Sequence, residues 1–161
     1  MGIPLDAAPE IIERLRGTPL RLRERTSGMD PSLLTCRGEG RWSIQEHAGH
    51  LLDLEALWYG RIEDFEAGAA TLRPADLENR ATWEADHNAG SLEAIRKEFE
   101  VQRGRFLEAV EGMGPEGLAR TSHHPRLDQP MTVVDLLFFV AEHDDHHLAS
   151  ITEIRSAGAA P

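Results

Sequence analysis

From Met131 to Ala157 the chain contains neither glycine nor proline. An apolar run from Thr132 to Val140 leads into Ala141-Glu142-His143-Asp144-Asp145-His146-His147-Leu148-Ala149-Ser150-Ile151. A stretch of that length without a breaker predicts one helix of about seven turns. At ~100° per residue, Leu136, Val140, Ile151 and Ile154 share an arc, and His143 and His147 fall inside it, one turn apart. His146 and Asp145 project from the opposite side, towards water. Two imidazoles at i and i+4 on an inward face can present ring nitrogens to a single cation. A pair of hydrogen-bonded core histidines is the competing reading, and a third histidine arriving from another helix favours the cation.

A chain of 161 residues predicts one domain, 1–161 with its core from about 9 to 156. It is large enough to fold without disulfides or a structural metal, so a metal here is expected to be functional. The single cysteine, Cys36, cannot form an internal disulfide, and no secretory apolar segment opens the chain; both predict a reducing cytoplasm. No apolar run approaches a membrane span, and Met1-Gly2 lacks the Ser or Thr of a myristoylation signal. A net charge of −11 repels phosphate backbones, which argues against nucleic acid as a partner. The histidines cluster as His47/His50, His123/His124 and His143/His146/His147, with His87 alone.

The rest of the chain supplies the other helices. Ile11, Ile12 and Leu15 have helical spacing. Thr18-Pro19 after Gly17 reads as an N-cap with proline at the first helical position, so the first helix is broken or is two short helices reaching Gly28. Its basic run, Arg21 to Arg25, reads as a solvated face. Ser43-Ile44-Gln45-Glu46 is a capping box, with Trp42 placed to staple the first turn. The second helix is expected from there to about Glu66, with Ile44, Leu51, Leu54, Trp58, Ile62 and Phe65 buried. His47 sits mid-stripe and His50 at its edge; periodicity makes His47 the more buried but does not choose a ligand. Residues 69–90 form a long connection that crosses the bundle or covers an opening, with Trp83 either packing or acting as a lid. Ser91 caps a third helix with Leu92, Ile95, Phe99, Phe106, Leu107 and Val110 inward. Residues 114–131 are a Pro/Gly-rich loop without strand-like alternation, and Thr132 with Asp135 resembles a capping box. The architecture predicted is all-α, a four-helix bundle with long crossover connections.

Trp42-Ser43-Ile44, His50-Leu51, Asp53-x-Glu55 and Arg61, followed by His143-x-x-x-His147, together resemble the DinB-like (YfiT-type) superfamily over about Leu15 to Ile154. Arg73-Pro74-x-Asp76 with Trp83, and His124-Pro125, look more like its YfiT branch. The resemblance implies a four-helix bundle, often a homodimer, holding a divalent metal on three histidines. One comes from the second helix, eight residues after the tryptophan, and two come from the HxxxH of the fourth. On this chain they are His50, His143 and His147, which leaves His47 to support a ligand or the core. Ser150 departs from the Gln or His common in the family at that position; a hydrogen bond from there would be shorter or run through water.

Three neutral imidazoles leave coordination positions for water or substrate, the pattern of a catalytic site. Zn²⁺, Ni²⁺ and Fe²⁺ all suit such ligands. Asp144 follows the first HxxxH histidine where a zincin helix has its glutamate, which makes it a candidate general base; a solvated or ligand-supporting carboxylate is the competing reading. Asp53 and Glu55 have the same two readings. Arg61, one helical face from His50, can anchor an anionic substrate or form a structural ion pair. The family implies thiol S-transferases that use low-molecular-weight thiols, a maleylpyruvate isomerase and metal-dependent hydrolases. The leading expectation is therefore a metal-dependent transferase that presents a small thiol to an electrophilic small molecule. The alternatives are a hydrolase with metal hydroxide as nucleophile and a metal-free helical interaction scaffold. A ferritin-like di-iron protein fits poorly, since the only Glu-x-x-His, Glu84 to His87, lies in a predicted loop.

Overall fold

Four helical spans, each with one apolar stripe, pack side by side and bury those stripes against one another. The structure, a computed structural model, describes residues 2–158. The first span is α1 (Ala8–Arg16) and α2 (Thr18–Thr26). Pro19 has no N–H to continue the ladder, so the break falls at Gly17, and helical bonding resumes with Arg21 N–H to Gly17 O at 3.0 Å. After the short α3 (Pro31–Thr35), α4 (Ile44–Asp53) and α5 (Glu55–Glu66) make the second span. It was expected as one continuous helix. The structure tightens at Leu54 but keeps its right-handed backbone there (φ −81°, ψ −12°).

The first long connection contains α6 (Arg80–Glu84) and a 3₁₀ turn at His87–Ala89. Then come α7 (Leu92–Gly112) and the short α8 (Gly114–Leu118), and α9 (Val133–Gly158) closes the bundle. The second connection is not the strand-free loop expected. β1 (Thr121–His124) pairs antiparallel with β2 (Gln129–Thr132), Thr121 opposite Thr132 and His124 opposite Gln129. Four-residue strands reading Thr-Ser-His-His and Gln-Pro-Met-Thr show no readable apolar alternation. The ribbon is fixed by its neighbours: Thr71 of the first connection bridges His123 in parallel, and Leu72 N–H donates to His123 O at 2.9 Å.

The capping chemistry is as the sequence predicts. Ser43 and Glu46 form a reciprocal box at α4, and Thr132 and Asp135 form one at α9, with both bonds 3.0 Å. No helix among the described residues is long and apolar enough to cross a membrane.

Two apolar clusters fill the bundle. One gathers Leu15, Trp58, Ile62, Phe65, Phe106, Val110, Leu136 and Val140; the other gathers Leu22, Ile44, Leu51, Phe99 and Ile151. In sequence, Thr18, Glu55, Arg103 and Asp144 fall between the two sets on their respective spans, and all four are buried. A hydrogen-bonded polar layer thus crosses the bundle, and the imidazoles of His143 and His147 flank it on α9.

Candidate metal centre

α4 carries His50 and α9 carries His143 and His147, and these three side chains meet. Their candidate ligand atoms all lie within 4.8 Å of one another. His143 Nε2 stands 3.2 Å from His50 Nε2 and 3.1 Å from His147 Nε2. One ring hydrogen can point squarely at only one acceptor, whereas a cation can take a lone pair from each nitrogen. Nitrogens bonded at ~2.0–2.1 Å to a tetrahedral ion stand ~3.3 Å apart, so the observed spacing fits such an ion after small rotamer adjustments.

The neighbours of His50 fix its tautomer. Thr82 Oγ1 lies 2.8 Å from Asp53 Oδ2, and an ionised carboxylate only accepts, so the hydroxyl hydrogen goes to Asp53. At 2.9 Å from His50 Nδ1, the same oxygen must then accept from the ring. Nδ1 carries the hydrogen and Nε2 presents its lone pair to the cluster. Asp53 Oδ2 is also 2.9 Å from His87 Nε2, so α6 and the 3₁₀ turn after it hold His50 from the outside. At Gly49 a Cβ would overlap the His87 ring, and the absent side chain is what allows this close approach.

On the other side, His147 Nδ1 is 2.8 Å from His47 Nδ1. A lone pair at His147 Nε2 puts that ring's hydrogen at Nδ1, where His47 receives it. Imidazoles that ligate metals are commonly held this way through the second nitrogen. Trp42 covers the group, its ring centroid 4.7 Å from that of His50 and stacked 5.9 Å from that of His147. The same ring touches His47, the fourth helical residue, as a staple should. Burial pushes the pKa of His50 down to about 3 and those of His47 and His143 down to about 4, and it lowers His147 further. The rings are therefore neutral and able to donate lone pairs at neutral pH.

His50 is more buried than His47, the reverse of what periodicity predicts. The helical stripe registers only the bundle core, whereas His50 is covered by the connection that brings Thr82 and His87. The roles of Thr82 and His87 had no sequence signal. Trp83 is exposed and edges against Trp42 at 5.9 Å, outside the imidazoles. His146 is exposed, and His123 pairs with Asp128 at 3.1 Å.

Asp144 does not stand among the imidazoles as a free base. Its Oδ2 is 2.5 Å from Arg103 Nη1 and 2.8 Å from Thr18 Oγ1, and its Oδ1 is 3.2 Å from Arg103 Nη2. Both oxygens are committed and the residue is fully buried. Arg103 also binds Glu55 Oε1 at 2.6 Å. Burial works against the Arg103 charge, yet Asp144 and Glu55 hold its pKa above the usual value; burial pushes Glu55 up to about 7. Arg103 lies four residues after Phe99 and three before Phe106, so a charge on the apolar face was the available clue. Asp145, expected to face water, is half-buried and bound by Arg14 and by Arg21 at 2.6 Å.

A cavity of about 280 Å³ opens beside His50 and His143, walled by Leu54, Leu57, Trp58, Phe139 and the two connections. Arg61 lines it. The ion-pair alternative for Arg61 does not hold, because no carboxylate lies within 4 Å of it among the described residues.

The profile of the DinB superfamily matches residues 14–151. YfiT, a candidate metal-dependent hydrolase of Bacillus subtilis (strain 168), is 27% identical over 149 residues, 89% of this chain and 81% of that protein. The solved structure of Bacillus subtilis YfiT, described as having an unusual four-helix bundle topology, superposes with a TM-score of 0.85 at 22% identity, over 99% of this chain and 92% of that one. The crystal structure of a mycothiol-dependent maleylpyruvate isomerase matches with a TM-score of 0.71 at 14% identity, covering 92% of this chain and 61% of the isomerase. The two structural matches establish a shared bundle, and the profile spans most of the sequence: the chain belongs to the DinB superfamily.

Proposed function

We propose that this chain is a divalent-metal-dependent enzyme whose metal is held by the Nε2 atoms of His50, His143 and His147, and that it transfers a low-molecular-weight thiol to a small electrophile. The observation that carries this reading is the convergence of three neutral imidazole nitrogens, with two of the rings, His50 and His143, lining a cavity of about 280 Å³. A divalent cation supplies Lewis acidity there, towards a sulfur or oxygen nucleophile at neutral pH. The chain does the rest: Thr82 and His47 hold two of the rings in the ligating tautomer, and Trp42 shields the imidazoles from water.

The state of the carboxylates favours thiol transfer over hydrolysis. Asp144 is saturated by Arg103 and Thr18, and Asp53 lies behind His50, joined through Thr82 to the Nδ1 side of that ring, so neither carboxylate stands at the converging Nε2 atoms. A thiol, with a pKa of about 8.5, needs less help in losing its proton than water does. Hydrolysis is the second reading, supported by the name of the Bacillus subtilis relative.

The two readings separate in one assay. Metal-loaded protein should convert monochlorobimane only when a small thiol is added, the sulfur forming the new C–S bond, chloride leaving and the thiol proton passing to solvent. His50→Ala should abolish turnover. Ester hydrolysis that needs no thiol would favour the second reading. Metal content below about a tenth of an equivalent, with no thermal stabilisation by Zn²⁺ or Ni²⁺, would leave a helical scaffold.

A further inference from the structure

We propose that the cavity beside His50 and His143 contains a carboxylate subsite made by the Arg61 guanidinium and the His124 ring N–H, so that the substrate is a small organic acid with an apolar body. The inference deepens the metal-dependent reading and rests on it only for which end of the molecule reacts.

Arg61 is 1% exposed, yet its one hydrogen bond is Nε to the Arg73 carbonyl at 3.2 Å. Buried charges are ordinarily paired. Asp64, the acid that acts on Arg61 most strongly, spends both oxygens on Arg73, at 2.8 Å to Nη2 and 2.8 Å to the backbone N–H. Both terminal nitrogens of Arg61 are left without a protein partner among the described residues. Its guanidinium lies over the Trp58 ring, 5.5 Å from the centroid, which holds the fork in place without satisfying it.

His124 is 3% exposed and forms part of the same wall. Its Nδ1 accepts the Leu127 backbone N–H at 3.2 Å, so the ring hydrogen sits on Nε2. That Nε2 is buried and has no partner. Burial, and then the Arg61 charge, lower the pKa of His124, which keeps the ring a neutral single donor. Asp76, the acid in the cavity wall, does not compensate Arg61, for its oxygens accept from the backbone N–H groups of Glu78 and Arg80.

Three donor nitrogens without partners, on two side chains in a largely apolar chamber, call for an acceptor that arrives with the ligand. A planar fork matches a carboxylate with two parallel bonds. The one buried guanidinium balances one negative charge, and Arg126, the other cation in the wall, is exposed and screened by water, which suits a carboxylate better than a phosphate dianion. At about 280 Å³ the chamber lies at the small end for ligand sites, so the acid is small, its apolar part lying against Leu54, Leu57 and Phe139.

The test uses pairs of acids and their neutral amides (benzoate and benzamide, phenylacetate and phenylacetamide), titrated by tryptophan fluorescence and calorimetry. Chelator-treated wild-type protein comes first, so that no bound cation can attract the acid. At least one acid is expected to bind tenfold or more tightly than its amide. Arg61→Gln should erase that preference while keeping wild-type helicity and metal content, and Arg61→Lys should keep a reduced part of it. His124→Phe, the second variant if Arg61→Gln does not fold, should lower acid affinity several-fold and amide affinity little. Equal binding of acids and amides across the series would overturn the proposal. So would an acid preference seen only with metal and unchanged in Arg61→Gln, because the carboxylate would then be on the cation. An acid preference in a protein that never takes up metal would sink the metal-dependent reading and leave the subsite standing.

Discussion

His47 Nδ1 stands 2.8 Å from His147 Nδ1, so one turn of α4 and one turn of α9 are joined through the rear nitrogen of a candidate ligand. His47→Phe removes that acceptor and keeps the bulk against Trp42. The affinity for Zn²⁺ or Ni²⁺, measured by chelator competition, is expected to fall about 10–100-fold with circular dichroism unchanged. His146→Ala, an exposed neighbour, should leave it alone.

Thr82 gives the same test from the other side. Thr82→Val keeps the shape and deletes the hydroxyl between His50 and Asp53, and a loss of metal affinity of about 10–100-fold is expected. Thr82→Ser should restore most of it. Equal affinities for the wild type and Thr82→Val would show that His50 needs no such support.

The Arg103 layer predicts stability effects. Arg103→Met leaves Asp144 and Glu55 buried without their cation and should cost about 3–5 kcal/mol in urea unfolding. Asp144→Asn should also destabilise, because Arg103 loses a partner, but metal content should remain near wild type. A general base in the reaction would show the reverse pattern, with normal stability and lost turnover.

The chelator-treated protein should lose stability on acidification. Burial holds His50 near pKa 3 and His47 and His143 near 4, whereas the unfolded chain protonates its histidines below about 6.5. Between those values the unfolded state binds more protons, so stability is present above 6.5 and is lost as pH falls towards 4. Glu55, pushed up to about 7, opposes this and favours the folded state as pH falls from 7 towards the ordinary carboxylate range. The several histidines outweigh the single acid, so Tm should be lower at pH 5 than at pH 7. Glu55→Gln should make the acid loss steeper.

Much of this arrangement was legible before any coordinates. The apolar stripes, the capping boxes at Ser43 and Thr132 and the break before Pro19 all follow from local rules of spacing and hydrogen bonding. The choice of His50 over His47 required the family resemblance, because a helical stripe reports the core alone and His50 is buried by a loop. Thr82 reaches His50, and His87 reaches Asp53, across more than thirty residues of chain, and no local pattern encodes such contacts. Asp144 looked like a base because a motif placed it beside His143; its rotation onto Arg103 depends on where α7 lies. The β1–β2 ribbon escaped notice since short strands with proline are specified by what they pair with.

The parallel bridge from Thr71 to His123 ties the two crossovers into one unit that walls the chamber, while the imidazoles belong to the helices. The crossovers thus shape the outer wall of the chamber and supply His124, whereas Arg61 and the three converging imidazoles stay with the helical spans. Exchanging residues 71–79 together with 121–131 between members of the superfamily should change the preferred ligand size while leaving the Arg61 acid preference and metal uptake in place. Swapping either segment alone would break the bridge and yield a poorly shaped chamber.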